Sequence, residues 1–150
     1  TIIIGPKAVV DNLKYGEILN NAQNKTYGPV NVEAVPMYNL TKERLKYHEK
    51  GRGNGYVITV DNKRIYISGD TEDIKEIRNL KEIDYAFICM NLPYTMTVDQ
   101  AASAVLEFKP KTVFPYHYRG KDGLSDVKRF KNLVSMDKEI EVVLMDWYSK

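Results

Sequence analysis

An almost unbroken apolar run, YAFICM at residues 85–90, constrains the fold of this chain more than any other stretch. Such a run is typical of a strand that is buried on both faces of a sheet. A helix signal follows, because Thr97 and Gln100 form a capping-box pair ahead of the apolar pattern AASAVLEF. Pro110 then ends the helix, and TVFPYHY at residues 112–118 has the composition of the next strand. The segment therefore predicts a strand–helix–strand crossover in an α/β protein.

Hairpin and helix patterns alternate along the rest of the chain. The apolar stretches GYVITV and RIYISG flank Asp61, Asn62 and Lys63, which is a strong hairpin signal. The other predicted elements are strands at 1–4, 30–38 and 141–148, helices at 7–16, 72–80 and 125–134, and a polar, basic loop at 39–54. The order β-α-β-β-β-α-β-α-β-α-β predicts a mixed sheet and a single domain over residues 1–150.

Composition excludes several classes of partner and site. With 22 basic and 20 acidic residues the net charge is +2, so a dedicated nucleic-acid surface is not expected. No apolar run approaches the roughly 18 residues that span a bilayer, so a membrane partner is not expected either. The chain begins within an apolar stretch without a visible signal peptide, which favours the cytoplasm but leaves an upstream signal open. The single Cys89 excludes an internal disulfide, and its apolar neighbours predict a buried thiol.

Two side chains at predicted strand ends are candidates for chemistry. Asp70 follows a strand in YISGDTEDI, where it could cap the next helix or project a carboxylate from the end of the strand. His117 ends a later strand in the same way. A carboxylate and an imidazole suit Zn²⁺, Mn²⁺ or Fe, but a catalytic zinc takes about three protein ligands and a water. The only other imidazole is His48, whose glycine-rich basic loop predicts a mobile, exposed side chain.

Residues 34–77 and 83–118 resemble the second half of a metallo-β-lactamase-fold hydrolase. The similarity is greatest to the metal-dependent hydrolases of the ascorbate-phosphate-lactonase-like branch, and it extends over residues 1–120. The resemblance implies an αββα sandwich and a small-molecule substrate with a lactone, ester or phosphoester group. It also implies that Asp70 is the metal-bridging aspartate, that His117 is the strand-end histidine of the last motif, and that zinc is the favoured metal, with manganese or iron as alternatives.

The chain departs from the family pattern in two ways. The signature H-x-H-x-D-H loop, which precedes this part of the fold in the family, is absent here, and so is the N-terminal part of the sandwich. We therefore expect the chain alone to be inactive and to pair with an upstream segment or with a second copy. Asn39 stands where the family often has a histidine ligand, and His48, nine residues later, is the candidate substitute.

The resemblance has a mechanistic consequence and an alternative. Asp70 would hold two metals about 3.5–4 Å apart, and the water that they activate would attack the substrate. The cations of the 39–54 loop could bind an anionic substrate such as a sugar phosphate, or they could form a solvated charged loop; they are Lys42, Arg44, Lys46, Lys50 and Arg52. Asn39 and the missing loop favour a different hypothesis, a degenerate or partial module that binds a protein partner without catalysis.

Overall fold

The structure, a computed structural model, describes residues 1–148. The strands within this range are β1 (Ile4–Gly5), β2 (Glu17–Ile18), β3 (Asn24–Tyr27), β4 (Val30–Met37), β5 (Gly53–Val60), β6 (Lys63–Ile67), β7 (Tyr85–Cys89), β8 (Thr112–Tyr116), β9 (Arg119–Gly120), β10 (Gly123–Leu124) and β11 (Glu141–Val142). The helices are α1 (Lys7–Leu13), α2 (Lys75–Arg78), α3 (Val98–Phe108) and α4 (Val127–Val134).

Seven strands form one mixed sheet in the order β11-β8-β7-β6-β5-β4-β3. Strands β3 to β6 are paired antiparallel, whereas β6, β7, β8 and β11 are paired parallel. This confirms the predicted α/β fold with a mixed sheet. Because β6, β7 and β8 are adjacent and parallel, their carboxyl ends lie at one edge of the sheet, where ligands usually bind in α/β proteins.

The predicted hairpin between β5 and β6 is confirmed, with a connection one residue shorter than the sequence suggested. Asp61 and Asn62 have φ angles of 48° and 59°, and Lys63 already pairs with Val60. Positive φ at both central residues is the requirement of the two-residue turn that matches strand twist. The turn fixes the register of β5 against β6. It therefore also fixes the position along the sheet at which β6 ends.

Helices α2, α3 and α4 cover one face of the sheet. Their side chains Ile77, Val105 and Phe130 pack in a single cluster with the strand residues Ala86 and Ile88. Burial of a side chain of this size contributes about 1.5–3 kcal/mol. The predicted capping box of α3 is also confirmed, since the Gln100 N–H donates to the Thr97 hydroxyl and the Thr97 N–H donates to the Gln100 side chain.

The opposite face of the sheet is covered only in part. Near β4, Leu19 packs with Val32 and Ala34 in a small separate cluster. Near β7 and β8, Phe87 and Phe114 stack with ring centroids 4.9 Å apart, and Trp147 lies 6.4 Å from Phe87. Trp147 remains 43% exposed. The structure is thus a sheet with one complete helical layer and one partly open apolar face.

Three predicted elements lose half or more of their length in the structure. The strand at 1–4 is reduced to Ile4–Gly5, and the helix at 72–80 to the four residues of α2, because residues 71 and 72 bond to the β4–β5 loop instead of entering a helix. The strand at 141–148 is reduced to β11, after which the Trp147 indole donates to the Pro115 carbonyl. Strands β2, β3, β9 and β10 were not predicted, since they are short and lack an apolar pattern.

Two further expectations concern burial and membrane-spanning helices. Cys89 is free and fully buried, as predicted. Across residues 1–148, none of the helices combines the length and the apolar character needed to cross a membrane.

Candidate metal centre

The candidate centre lies at the carboxyl edge of the three parallel strands. Asp70 follows β6, Asn91 follows β7 and His117 follows β8. The strand-end argument from sequence placed Asp70 and His117 at this edge, and the structure does bring them together. Asn91 joins them although sequence reasoning did not select it.

Gly69 sets the direction of Asp70. Its φ is +63°, and a Cβ atom there would lie 2.9 Å from both the Asn54 carbonyl oxygen and the Met37 sulfur. Only glycine fits this turn. The cap interpretation of Asp70 was wrong: α2 starts later, after Ile74, and the cap position there makes no side-chain hydrogen bond. Thr71 instead bonds the Tyr38 carbonyl with its hydroxyl. Asp70 is therefore free of a capping role.

A hydrogen-bond chain orients His117 toward Asp70. The Thr95 hydroxyl donates to Asn91 Oδ1 at 2.6 Å, which leaves the Asn91 amide nitrogen facing His117 Nε2 at 3.1 Å. His117 Nε2 accepts this bond, so the ring proton is on Nδ1, which donates to Asp70 Oδ1 at 2.7 Å. His117 itself adopts φ +43°, an uncommon backbone conformation that turns the chain out of β8. The imidazole is held as one defined tautomer.

His48 approaches the second oxygen of the same carboxylate. Its Nε2 lies 3.7 Å from Asp70 Oδ2, and its side chain is 20% exposed. Burial lowers the pKa of His48, and the His117 ring lowers it further, against the opposing attraction of the Asp70 carboxylate. A lowered pKa keeps the imidazole neutral near pH 7, which is the form that binds metals. The expectation of an exposed His48 was wrong.

A buried ion pair explains why the loop that carries His48 is ordered. The Glu72 side chain is 1% exposed and accepts bonds from the Leu40 N–H, the Thr41 N–H and the Thr41 hydroxyl at 2.5–2.7 Å. Arg44 completes this set at 2.5 Å and also donates to the Thr95 carbonyl. Burial alone would raise the pKa of Glu72, but these donors outweigh it and the pKa lies below its usual value. The loop at 39–52 is thus fixed to the segment that follows Asp70.

Asn39 bonds to its own loop and to Tyr94 rather than to Asp70. It is 2% exposed, and its amide nitrogen donates to the carbonyls of Arg44 and Tyr94. Its main-chain N–H donates to the His48 carbonyl at 2.8 Å. His48 and Asn39 were the two candidates for the third ligand. His48 lies beside Asp70, whereas Asn39 supports the loop that carries His48.

The candidate centre opens to solvent through a depression of about 300 Å³, which we call the Asp70 depression. Its lining residues are Tyr47, His48, Asp70, Asn91, Tyr94, His117 and Arg119. The Tyr47 and Tyr94 rings meet edge to face, with centroids 5.0 Å apart, and form one wall. The Arg119 guanidinium lies 4.3 Å above the Tyr148 ring, which supports it at the rim. The depression therefore combines imidazole, carboxylate, amide and guanidinium groups.

The donor types in this centre fit a divalent metal, although their present arrangement is a hydrogen-bonded cluster. Imidazole nitrogen and carboxylate oxygen are the usual zinc donors besides thiolate. Within residues 1–148, however, no group of three or more His, Cys, Asp or Glu side chains is placed to hold a metal ion. The reason is local: His117 Nδ1 bonds Asp70 directly, and its Nε2 faces Asn91.

Four lining residues were missed by sequence reasoning: Tyr47, Asn91, Tyr94 and Arg119. Asn91 carried a usable signal, because it lies within three residues of the end of a strand, as Asp70 and His117 do. Tyr94 and Arg119 carried none. Their positions depend on a close approach of two loops, in which the Lys121 N–H donates to the Leu92 carbonyl.

Comparison with known proteins identifies the family. The model of the beta-lactamase superfamily domain matches residues 9–117. A metal-dependent hydrolase of Pyrococcus abyssi is 37% identical over 126 residues, which cover 79% of this chain and 56% of that protein. One from Pyrococcus horikoshii is 31% identical over 138 residues, which cover 87% of this chain and 60% of that protein. The chain thus spans little more than half the length of these curated relatives.

Solved structures show the same fold. The crystal structure of a Parabacteroides distasonis protein, assigned as a metal-dependent hydrolase, superposes with a TM-score of 0.91 at 42% identity. The match covers 99% of this chain and 66% of that one. Igni18, a metallo hydrolase from Ignicoccus hospitalis, gives a TM-score of 0.78 at 22% identity, over 97% of this chain and 65% of its own, and supports the fold alone. The resemblance found in the sequence is confirmed: the chain has the metallo-β-lactamase fold and belongs to the beta-lactamase superfamily.

Proposed function

We propose that this chain is the C-terminal portion of a metal-dependent hydrolase that acts on a lactone, ester or phosphoester of a small molecule. The observation that carries the proposal is the placement of one imidazole against each oxygen of the Asp70 carboxylate. His117 Nδ1 lies 2.7 Å from one oxygen, and His48 Nε2 lies 3.7 Å from the other. The relatives of this chain are metal-dependent hydrolases, which supports the same activity here.

In this proposal the metal ligands are Asp70, His117 and His48. Zinc is the metal that this donor set fits best, and manganese or iron accept the same donors. A bound metal of this kind supplies a water nucleophile near neutral pH. The Asp70 carboxylate would contribute oxygen donors to the metal site, with His117 beside one oxygen and His48 beside the other.

The other residues of the Asp70 depression orient and bind. With a metal on Nδ1, His117 would carry its proton on Nε2, and Asn91, whose amide group lies 3.1 Å from Nε2, would orient the ring by accepting that proton's bond. Thr95 bonds the Asn91 side chain in turn. The guanidinium of Arg119 has no carboxylate within 4.0 Å in the described part of the chain, so its charge is available to a substrate. It is suited to bind an oxygen on which negative charge develops during attack on a carbonyl or phosphoryl centre.

We also propose that this chain alone does not form a complete active site. Three donors are too few for two metals, and about 40–44% of the relatives' own length lies outside the matched part, since the matches cover 60% and 56% of them. The partly open apolar face with Phe87, Phe114 and Trp147 is where we place that remaining segment. A second copy of the chain is the other occupant that this face could take.

The test of the hydrolase function uses the complete protein that contains this chain. A screen of lactones, carboxylic esters and phosphoesters should detect hydrolysis that a chelator removes and added zinc restores. Absence of both hydrolysis and bound metal would overturn the proposal. That result would favour the non-catalytic module that binds a protein partner.

If the isolated 150 residues lack part of the active site, they should have two measurable properties. They should not retain stoichiometric zinc at micromolar concentration, and they should self-associate through the open apolar face. Equilibrium dialysis and light scattering measure the two properties. Tight stoichiometric zinc binding by a monomer of the isolated chain would contradict this part of the proposal.

A further inference from the structure

The loop between β4 and β5 forms a second depression, of about 450 Å³, which we call the loop depression. Its lining residues are Asn39, Leu45, Lys46, Tyr47, Glu49, Lys50 and Arg52. Three of these side chains are cationic and one is anionic, so the lining has an excess of positive charge. Tyr47 also lines the Asp70 depression, so the two depressions share one aromatic side chain.

The cations of the loop depression are not neutralised by the protein. Within residues 1–148, no carboxylate lies within 4.0 Å of the charged group of Lys46, Lys50 or Arg52. Arg44, in the same loop, differs because it is paired with the buried Glu72. The structure therefore divides the basic residues of the loop. Arg44 supports the fold, whereas the three lining cations have charge available for a ligand.

Aromatic rings help to place two of these cations. The Lys50 ammonium lies 4.7 Å from the centroid of the Tyr38 ring, and the Lys46 ammonium lies 5.1 Å from that of Tyr47. A cation over an aromatic face is attracted to it, which restricts the side chain to fewer conformations. Because these lysine side chains are already restricted, less conformational entropy is lost when a ligand binds to them.

Asn39 adds an unsatisfied acceptor beside the cations. Its amide nitrogen makes two bonds to main-chain carbonyls, which fixes the orientation of the side chain. Its Oδ1 has no hydrogen-bond partner in the described part of the chain, although Asn39 is 2% exposed. A hydroxyl group of a ligand, or a water that the ligand orders, would supply the missing donor.

From these four observations we propose that the loop depression binds the phosphate or carboxylate group of a small molecule that carries hydroxyl groups. Lys46, Lys50 and Arg52 bind the anionic oxygens, and Tyr47 separates the anionic end of the molecule from the part that enters the Asp70 depression. The identification of this molecule as the substrate rests on the proposed hydrolase function. The binding of an anion does not.

The first arm of the test measures anion binding by the complete protein. Inorganic phosphate and, separately, acetate are titrated while backbone amide resonances are followed by NMR. Saturable shifts should be confined to residues 38–53, and the tighter of the two ligands shows which anionic group the depression prefers. Lys46→Gln, Lys50→Gln and Arg52→Gln should each weaken binding about 3- to 10-fold, as expected for exposed ion pairs that a hydrogen bond reinforces.

Lys42→Gln is the matched control, because Lys42 belongs to the same loop, is exposed and does not line the depression. It should leave the affinity unchanged. Equal losses in the control and in the three variants, or shifts spread over lysines across the surface, would overturn the anion site and leave only non-specific attraction.

The second arm tests whether the anion belongs to the substrate. The complete protein is assayed with two esters that share a leaving group, neutral 4-nitrophenyl acetate and anionic mono-4-nitrophenyl succinate. The three variants should raise KM for the anionic ester about 3- to 10-fold with kcat retained, and should leave the neutral ester unaffected.

The two arms separate the possible failures. An unchanged KM for the anionic ester, with phosphate binding intact, would refute the assignment to substrate. Absence of hydrolysis of either ester, again with phosphate binding intact, would count against the hydrolase function and leave the anion site standing.

Discussion

The candidate metal centre is built from two halves that are ordered by different means. The strand-end half consists of Asp70, Asn91 and His117 at the carboxyl ends of β6, β7 and β8, and parallel pairing places these ends side by side. The loop half consists of His48 and Tyr47 on a long connection with little regular structure. Backbone pairing fixes the first half, whereas a single buried carboxylate, Glu72, fixes the second.

The difference shows that one end of a site can depend on topology and the other on a long-range contact. The strand-end half tolerates changes in loops because the sheet supports it. The loop half depends on the pairing of Glu72 with Arg44 and with the N–H groups of Leu40 and Thr41. Loss of that pairing should affect His48 while it leaves Asp70 and His117 in place.

The largest expected effect is that of Glu72→Ala. The change leaves the Arg44 guanidinium, which is 19% exposed, and two N–H groups without their acceptor. Loss of one partner of a buried ion pair costs about 3–5 kcal/mol. Urea denaturation should show a loss of this size in the free energy of unfolding.

Glu76→Ala is the control for that experiment, because Glu76 accepts a bond from the Tyr38 hydroxyl of the same loop without deep burial. It should cost about 1 kcal/mol or less. Similar losses for the two variants would mean that Glu72 has no special part in fixing the loop.

A smaller effect is expected for Asn91→Ala in the strand-end half. Asn91 fixes the ring of His117, and groups that orient a metal-binding histidine typically contribute 10- to 100-fold in affinity. Competition with a zinc chelator should therefore show at least about tenfold weaker metal binding by the complete protein, with little change in stability. Asn132→Ala, at an exposed position of α4, should leave the affinity as it is. An unchanged affinity in Asn91→Ala would remove Asn91 from the centre.

The smallest effect concerns Asp84, which precedes β7 at the amino-terminal edge of the same strands. Bonds from the Lys111 ammonium and the Arg64 N–H lower the pKa of Asp84 from 3.8 to about 2. Because the folded pKa is depressed, the stabilisation is complete above about pH 4 and is lost as the pH falls to 2. The Lys111 side chain is exposed, and screening of its charge reduces the contribution to about 1 kcal/mol.

Asp84→Asn should remove that part of the pH dependence and leave the affinity of the centre for metal unchanged. Free energies of unfolding measured at pH 5 and at pH 2 give the comparison. The same acid-induced loss in wild type and variant would contradict the assigned role of Asp84.

The strand-end half could be predicted from sequence for a physical reason. Apolar runs mark buried strands, crossover helices make the strands parallel, and the residues that follow then share an edge. Asp70 and His117 were found in this way. Asn91 obeys the same rule but has an ordinary amide side chain, which gave no reason to select it.

The loop half could not be predicted because its order comes from contacts between distant residues. Glu72 and Arg44 are 28 positions apart, and nothing in the pattern around either residue shows that they pair. The segment at 141–148 shows the opposite error. Its apolar pattern predicted a strand, yet only Glu141–Val142 pairs with β8, and Trp147 packs beside Phe87 instead.

The most direct measurement is the metal content of the complete protein and of its Asp70→Ala and His117→Ala variants, determined by elemental analysis after purification. We expect one or two zinc, manganese or iron ions per chain in the wild type, because both residues are proposed ligands. Each substitution should remove bound metal together with hydrolysis, while the Asn132→Ala control keeps both. Unchanged metal content in both ligand variants would contradict the assignment of the metal centre.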